Sequence, residues 1–256
     1  MDNRLTYLGH STVLVDLDGV CVLTDPLLGS LAAGAIRRHV PAVHPGSLGQ
    51  VAAVVISHGH LDHLDLASLR ALIGEPMVIV PAGLGRVVAR VARGVVHEMR
   101  AGDRLRVGAL TLEAVHAEHG RRRSPFTSSE GALGILIAGS TRVYFAGDTD
   151  LFPAMRELAG RVDVALLPVG GWGPTVGHGH LDPGRAAEAA ERIGPEIAIP
   201  IHWGTLYPLG LRRIARRRFN APGEAFRQAV AERRSRVAVR ILQPGQSMAM
   251  GRGADA

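Results

Sequence analysis

The stretch VAAVVISHGHLDH, residues 51–63, decides how the rest of the chain is interpreted. Its first half, Val51 to Ile56, is a continuous apolar run, which is typical of a strand buried on both faces. Its second half places four potential metal ligands within six positions: His58, His60, Asp62 and His63. Histidines two residues apart point to the same side of an extended backbone, and Gly59 lets the chain pass tightly between them. The stretch therefore predicts a metal site at the end of a buried strand rather than a solvated polar loop.

Three further apolar strands also end in side chains that bind metals. They are Leu110–Val115, followed by His116 and His119; Arg142–Phe145, followed by Asp148; and Ile197–Ile201, followed by His202. Because strand ends converge on one rim in α/β folds, we expect these side chains to meet the motif of residues 58–63. An ordinary turn aspartate is the alternative for Asp148. Imidazole and carboxylate groups suit zinc, manganese or iron.

The order of the elements predicts an α/β fold. Strand-rich stretches punctuated by helices occur in both halves, which indicates a four-layer αββα sandwich of two packed mixed β-sheets with helices on the outer faces. Helices are predicted at Leu64–Ile73, Leu84–Ala92, Pro153–Ala159, Pro183–Ile193 and Gly223–Glu232, with Asp65 and Asp182 as N-caps. Residues 29–49 are predicted to form a loop. We expect one domain over residues 1–250 and a flexible tail over residues 251–256.

The composition favours a reducing compartment and excludes a fold held by disulfides. Cys21 is the only cysteine, so no disulfide can form within the chain. The amino end lacks the pattern of a signal peptide, and no stretch approaches the ~20 apolar residues that cross a bilayer. We therefore expect a cytoplasmic protein without a membrane span. The formal net charge is +6 and every basic residue is arginine, which is more typical of genome composition than of a binding function, although a weak attraction for anionic partners remains.

Six segments of the chain together resemble the metallo-β-lactamase superfamily. Within it they are most similar to the branch that includes N-acylphosphatidylethanolamine-hydrolysing phospholipase D and the ascorbate-6-phosphate lactonase-like proteins. The matching segments are LGHSTVLV (8–15), LTDP (23–26), HGHLDH (58–63), FAGDT (145–149), HLDP (180–183) and IHWGT (201–205). The resemblance implies the metallo-β-lactamase fold and two divalent metal ions. Zinc is the first expectation for these ions, with manganese or iron as the alternatives.

The resemblance also assigns the metal ligands. One ion would be held by His58, His60 and His119, and the other by Asp62, His63 and His202, with Asp148 bridging them. In the family the ligand histidine ends a short turn after its strand, which favours His119 over His116. His116 would then orient a ligand through a hydrogen bond. Asp62 would also steer the proton of the attacking hydroxide.

Further predictions concern residues around the ions. His10 and Asp25 are expected to hydrogen-bond a ligand imidazole, with an ordinary polar residue at a strand end as the alternative. His180, just before a helix, is expected to contact a substrate oxyanion or leaving group, with helix capping as the alternative. Trp172 and Trp203 are expected to wall the pocket, unless they belong to the core.

Together these residues predict a hydrolase. A hydroxide formed between two metals about 3.5–4 Å apart would attack an ester-type bond, in a phosphodiester, phosphoester or lactone, of a small anionic substrate. The Arg-rich segment Leu211–Phe219, with Arg212 and Arg213, is interpreted as a cationic lip for that substrate, a nucleic-acid contact or a solvated loop. A nuclease of the same superfamily is one alternative function, which the lack of an evident nucleic-acid domain disfavours. A non-catalytic metal-binding protein is the other, which the complete ligand set disfavours.

Overall fold

The computed structural model describes residues 3–32, 36–120, 131–171, 177–208 and 221–251. The first eight strands are β1 (Arg4–Gly9), β2 (Thr12–Leu17), β3 (Val20–Thr24), β4 (Leu31–Ala32), β5 (Ile36–Arg38), β6 (Val51–Val55), β7 (Met77–Pro81) and β8 (Val96–Met99). The next nine are β9 (Arg104–Val107), β10 (Leu110–Ala117), β11 (Ala132–Ala138), β12 (Arg142–Phe145), β13 (Val164–Pro168), β14 (Ile197–Ile201), β15 (Leu206–Pro208), β16 (Ala238–Val239) and β17 (Ser247–Ala249). The helices are α1 (Leu66–Ala71), α2 (Gly85–Val88), α3 (Pro183–Ile193) and α4 (Pro222–Glu232), with 3-10 turns at Pro45–Leu48 and Pro153–Leu158. No helix within these ranges has the length and apolar character that crossing a bilayer requires.

The strands form two seven-stranded mixed sheets and one small sheet. The order is β17-β1-β2-β3-β6-β7-β8 in the first sheet and β16-β14-β13-β12-β11-β10-β9 in the second. In the first sheet, pairing is antiparallel from β17 through β1 and β2 to β3, and parallel from β3 through β6 and β7 to β8. In the second sheet it is antiparallel from β9 to β12 and parallel from β12 to β16. The small sheet has the order β15-β5-β4.

The two large sheets pack face to face around an apolar core. Along β1 and β10, buried side chains alternate with more exposed ones, as a sheet with one face against a core requires. Both sheets contribute to this core, which includes Leu5, Val13, Leu112, Ile135 and Leu166. The outer face of the first sheet is covered by α1 and α2, and that of the second by α3 and α4. The predicted αββα sandwich is therefore confirmed.

Two capped helices begin directly after candidate site residues. Asp65 lies two residues after His63, and its carboxylate accepts hydrogen bonds from backbone N–H groups in the first turn of α1. The Asp182 carboxylate accepts one from the backbone N–H of Arg185 at 2.8 Å, two residues after His180. Both predicted N-caps are confirmed. Each cap fixes where its helix begins and therefore where the preceding turn lies.

The structure differs from the sequence prediction in the short elements. Residues 29–49, predicted as a loop, contain β4, β5 and a 3-10 turn. Strands of two or three residues are too short to show the alternation that predicts a strand, and β15 and β17 have no predicted counterpart for the same reason. The predicted helix Leu84–Ala92 contains the single helical turn α2, and Pro153–Ala159 is a 3-10 turn. Residues 252–256 of the predicted tail lie outside the described ranges.

Tyr144 provides a test of the packing between the second sheet and its helices. Its side chain is fully buried there, and its hydroxyl has no hydrogen-bond partner among the described residues. A buried polar group without a partner costs about 1–3 kcal/mol, so Tyr144→Phe should raise the free energy of unfolding by about 1 kcal/mol. Chemical denaturation of the metal-free protein measures this change.

Tyr7→Phe is the matched control for Tyr144→Phe. Tyr7 is also buried, but its hydroxyl donates to the carbonyl oxygen of Trp203 at 3.4 Å. This variant should therefore lose stability. A loss of stability in Tyr144→Phe as well would contradict the absence of a partner for the Tyr144 hydroxyl.

Candidate metal centre

The seven predicted ligands lie together at one edge of the two large sheets. The chain after β6 carries His58, His60, Asp62 and His63, the chain after β10 carries His119, that after β12 carries Asp148, and that after β14 carries His202. β6, β12 and β14 each pair in parallel with a neighbour, and the carboxyl ends of parallel strands meet at the same edge of a sheet. Five of the side chains are buried, and those of His60 and His119 are half-buried.

The donor atoms form two neighbouring groups, each of which could hold a metal ion. Within each group, one donor atom per residue lies within 4.8 Å of the others. The first cluster consists of His58, His60, His119 and Asp148, and the second cluster consists of His10, Asp62, His63 and His202. The Asp148 carboxylate lies between them, with Oδ2 at 3.3 Å from His63 Nε2 and Oδ1 at 3.3 Å from His202 Nε2. This position is the one that a bridging ligand would need.

In the second cluster, hydrogen bonds fix which ring nitrogen points inward. His63 Nδ1 donates to Asp25 Oδ2 at 2.6 Å, and His202 Nδ1 donates to the carbonyl oxygen of Gly170 at 2.8 Å. The two Nε2 atoms face each other at 3.1 Å. In neutral rings both would present a lone pair, and the lone pairs would repel each other. Only a cation between them, a proton or a metal ion, makes this arrangement favourable, so the second cluster fits a metal.

In the first cluster, hydrogen bonds also fix which ring nitrogen points inward, and Ser57 makes one of these bonds. The Ser57 hydroxyl donates to Asp25 Oδ2 at 2.6 Å, so its oxygen accepts from His58 Nδ1 at 2.9 Å. His58 Nε2 therefore carries a lone pair, and it is buried without a hydrogen-bond partner among the described residues. His119 Nδ1 donates to the carbonyl oxygen of Gly179 at 2.6 Å, so its Nε2 carries a lone pair, which faces His60 Nδ1 at 3.1 Å. A metal ion would satisfy both nitrogens.

Burial keeps most of the imidazoles in the neutral form that binds a metal. It lowers the pKa of His10 to about 3 and that of His60 to about 4, because a charged ring loses its hydration in the interior. Burial also lowers the pKa of His58, well below the usual value, and the pKa of His119.

The carboxylates and His63 form a charged centre between the clusters. Burial alone would raise the pKa values of Asp62 and Asp148, but His63 beside Asp62, and His202 and His63 beside Asp148, lower both well below the usual carboxyl range. Burial would likewise lower the pKa of His63, but the carboxylates of Asp148, Asp62 and Asp25 raise it well above the usual histidine value. In the metal-free protein, His63 is therefore protonated near neutral pH.

Three residues of the site have a strained backbone. His10, Asp25 and His202 have φ angles of 56°, 32° and 62°, the left-handed region that non-glycine residues rarely adopt. Such residues cost about 1–3 kcal/mol each and persist only where surrounding contacts hold them. One contact joins two of them directly, because the backbone N–H of His202 donates to the carbonyl oxygen of His10 at 2.8 Å.

Gly147 places Asp148 for a related reason. Its φ angle is 60°, and a Cβ at this position would lie 2.5 Å from the Cβ of Ser57. Only glycine fits this close approach between the end of β12 and the motif after β6.

Some of the residues predicted to lie around the ions are found at the site. Asp25 contacts an imidazole, as described above, whereas His10 Nε2 contacts the Asp62 carboxylate at 2.9 Å rather than a ligand imidazole. His180 lies at the clusters, with Nε2 at 3.3 Å from Asp148 Oδ2 and its ring centroid 4.7 Å from that of His119.

His116 does not reach the clusters. β10 continues to Ala117, two residues beyond the predicted strand end, so the side chain of His116 turns outward and is 56% exposed. Its ring packs on Phe152, and its Nε2 lies 3.3 Å from Glu118. This placement does not support the prediction that His116 orients a ligand.

Of the predicted pocket-wall and substrate residues, only Trp203 lies within the described ranges. Trp203 donates its Nε1–H to the carbonyl oxygen of Pro200 at 3.0 Å and packs against Gly223 of α4. Trp172, Arg212 and Arg213 lie outside the described residues.

Several groups that hydrogen-bond the candidate ligands or fix the nearby turns were not predicted from the sequence. Ser57 stands next to the metal motif, and this position is the only signal that could have indicated its bond to His58. The carbonyl oxygens of Gly170 and Gly179 leave no signal at all, because every residue carries a carbonyl group. Asp150 accepts a hydrogen bond from the backbone N–H of Gly179 at 3.0 Å and so fixes the turn that supports His119.

Known proteins resemble this chain along most of its length. A family model described as "Beta-lactamase superfamily domain" matches residues 21–203, a range that includes all seven predicted ligands. The chain therefore belongs to the metallo-β-lactamase superfamily. A UPF0173 metal-dependent hydrolase of Methanopyrus kandleri is 33% identical over 95% of this chain and 98% of its own length.

Two further comparisons agree with this assignment. N-acyl-phosphatidylethanolamine-hydrolyzing phospholipase D 1 of Caenorhabditis elegans is 31% identical over 80% of this chain, which matches 64% of that protein. The structure of Igni18, described as a novel metallo hydrolase from Ignicoccus hospitalis, has a TM-score of 0.73 at 23% identity, covering 98% of this chain and 99% of that one. The second comparison shows the same fold. The superfamily branch that the sequence motifs resemble is thereby confirmed.

Metal binding should release the proton of His63. The pKa of His63 lies well above its usual value in the metal-free protein, so the proton is present near neutral pH and must leave Nε2 before that atom can ligate. His60, with a pKa of about 4, is already neutral and contributes no proton. We expect release of at least about one proton per chain and weaker metal binding as the pH falls. Calorimetric titration in buffers of different ionisation enthalpy measures the release, and a heat independent of the buffer would contradict it.

The choice between His119 and His116 has a direct test. His119→Ala removes a donor of the first cluster and should lower metal affinity by at least about 100-fold, more than the loss typical of an outer partner. His116→Ala is the matched control and should leave the affinity unchanged, since its side chain points to solvent. Equilibrium dialysis followed by metal analysis measures both. Equal losses in the two variants would contradict the assignment.

Proposed function

We propose that this chain is a metal-dependent hydrolase that cleaves an ester-type bond, in a phosphodiester, phosphoester or lactone, of a small anionic substrate. The observation that carries the proposal is the inward orientation of the imidazole nitrogens in two adjoining clusters with a carboxylate between them. Membership of the superfamily supports it, as do the relatives named as metal-dependent hydrolases. The phospholipase relative supports the inclusion of lipid phosphodiesters among the candidate substrates.

Two divalent ions, zinc or alternatively manganese or iron, are part of this proposal. The first cluster would hold one ion and Asp62, His63 and His202 the other, with Asp148 shared. When bound, a pair of divalent ions supplies a Lewis acid and lowers the pKa of water toward neutrality.

Asp62 is proposed to accept the proton of the attacking water. The neutral imidazole of His10 donates its Nε2–H to Asp62 Oδ2 at 2.9 Å and so holds the carboxylate in one orientation. Asp62 is ionised, because His63 beside it lowers its pKa against the effect of burial. A fixed and ionised carboxylate is suited to receive a proton at a defined place.

His180 is proposed to contact the oxygen that gains negative charge. Its Nε2 lies 3.3 Å from Asp148 Oδ2, at the border of the clusters, and the ring is only partly exposed. A ring N–H at this place can donate to a substrate oxyanion or to the leaving group. Contact of Trp172, Arg212 and Arg213 with substrate is also part of the proposal, on sequence grounds alone, as are the single domain and the cytoplasmic location.

A hydrolysis screen tests the proposal. Protein purified without chelator and loaded with zinc, manganese or ferrous iron would be assayed on bis-p-nitrophenyl phosphate, p-nitrophenyl phosphate, lactones and phospholipids. We expect turnover of at least one of these classes. The variant His58→Ala, His60→Ala should lose more than about 100-fold of this activity, because two donors of the first cluster are gone.

The matched control for the screen is the variant His44→Ala, His97→Ala. It also removes two histidines, but both lie outside the two clusters. It should keep the activity of the unsubstituted protein. Activity that survives in His58→Ala, His60→Ala, or the absence of turnover on every substrate class with all three metals, would contradict the proposed function.

A further inference from the structure

Arg38 is a buried arginine that bonds to main-chain carbonyl groups. The residue is 4% exposed, and burial lowers its pKa. Nη1 donates to Leu27 O at 2.6 Å, Nε donates to Pro41 O at 3.2 Å, and Nη2 donates to Leu8 O. None of the carboxylates in the described ranges forms an ion pair with it. A buried charge without an anionic partner is costly, so the three bonds must offset much of that cost.

Two of these carbonyl groups flank the strained backbone of the site. Leu8 lies two residues before His10, and Leu27 lies two residues after Asp25. His10 and Asp25 both have left-handed backbone, which persists only where surrounding contacts fix it. One guanidinium group therefore holds both segments of chain in place.

The third strained residue, His202, is connected to β5 by main-chain contacts rather than by the Arg38 side chain. β5, which contains Arg38, pairs with β15, and β15 follows His202 closely in the chain. Next to Arg38, the backbone N–H of His39 donates to Thr205 O at 2.9 Å. Thr205 Oγ1 in turn accepts from the backbone N–H of His10 at 2.8 Å. The segments that carry the strained residues are thus all fastened to β5.

These segments orient the donors of the second cluster. His10 contacts the Asp62 carboxylate at 2.9 Å, and Asp25 contacts His63 Nδ1 at 2.6 Å. His202 faces His63 with its own Nε2 at 3.1 Å. A shift in any of the three turns would move a donor or turn a ring away from its partner.

We infer that Arg38 is a positioning residue that fixes the left-handed turns at His10 and Asp25 and thereby sets the geometry of the second cluster. The planar guanidinium group suits this role, because it presents N–H groups in several fixed directions at once. A lysine at this place would keep the charge but could not reach carbonyl groups on separate segments with the same geometry. The inference rests on the proposed function in one respect, since it assumes that the second cluster holds a metal ion.

Cobalt titration tests this inference by binding alone. Cobalt(II) would be added to the metal-free protein, and the visible absorption of bound cobalt would give the affinity for each equivalent. The unsubstituted protein should bind two equivalents. Arg38→Met should bind one equivalent with unchanged affinity and the other about 10–100-fold more weakly, the loss typical when a group supporting a ligand is removed.

Arg142→Met is the matched control, because Arg142 also fastens separate segments. It donates to Gly160 O at 2.6 Å and pairs with Asp163, and it lies at the start of β12, the end of the strand opposite the one that leads to Asp148. It should keep both cobalt affinities whatever its thermal stability. If Arg38→Met does not fold, Arg38→Lys is used for the same titration. It should bind one of the two equivalents of cobalt about tenfold more weakly or worse.

The outcomes separate this inference from the proposed function. Two unchanged cobalt affinities in a folded Arg38 variant, or equal losses in the Arg38 and Arg142 variants, would overturn the role of Arg38 and leave the proposed function intact. A protein that binds two equivalents of cobalt but hydrolyses nothing would contradict the proposed function and leave the role of Arg38 intact.

Discussion

The carboxylate of Asp25 is the interaction on which the donor geometry depends. It is fully buried and accepts hydrogen bonds from His63 Nδ1, from the backbone N–H of Ser57 and from the Ser57 hydroxyl. A neutral imidazole can carry its proton on either nitrogen, so a fixed acceptor behind the ring decides which nitrogen faces inward. Asp25 makes that decision for His63 directly and for His58 through Ser57. One group in the interior thus orients a donor in each cluster.

The sheet register explains why Asp25 lies where it can act in this way. β3 and β6 are parallel neighbours, with Thr24 opposite Val55, so the residues just beyond their carboxyl ends meet. The backbone N–H of Asp25 donates to Val55 O at 2.8 Å, and its left-handed backbone then directs the carboxylate toward Ser57. The second sheet supplies Asp148 and His202 from the equivalent ends of β12 and β14. The site therefore stands on a hydrogen-bonded framework rather than on independent loops.

The sequence predicts those features of the fold and the site that depend on the type of residue at a position. Burial of a strand and the polar residues at its end are visible in sequence, so the αββα layers and the convergence of the seven candidate ligands could be predicted. A hydrogen bond to a main-chain carbonyl group, such as that of Gly170, cannot be predicted in this way, because every residue has a carbonyl group. The role inferred for Arg38 was equally hidden, because β4 and β5 are too short to show a period. His116 was assigned to the site because two further residues of β10 were not anticipated.

The raised pKa of His63 shows that its surroundings favour a positive charge. Three buried carboxylates, those of Asp25, Asp62 and Asp148, lie around this ring, and each of them favours a positive charge on it. They raise the pKa of His63 until the ring supplies that charge itself, and its Nε2–H then separates the lone pairs that would otherwise repel. In the metal-free protein, the proton therefore supplies the positive charge that a metal ion would supply. Because the same three carboxylates attract both, a proton and a metal ion compete for the same place between the two rings.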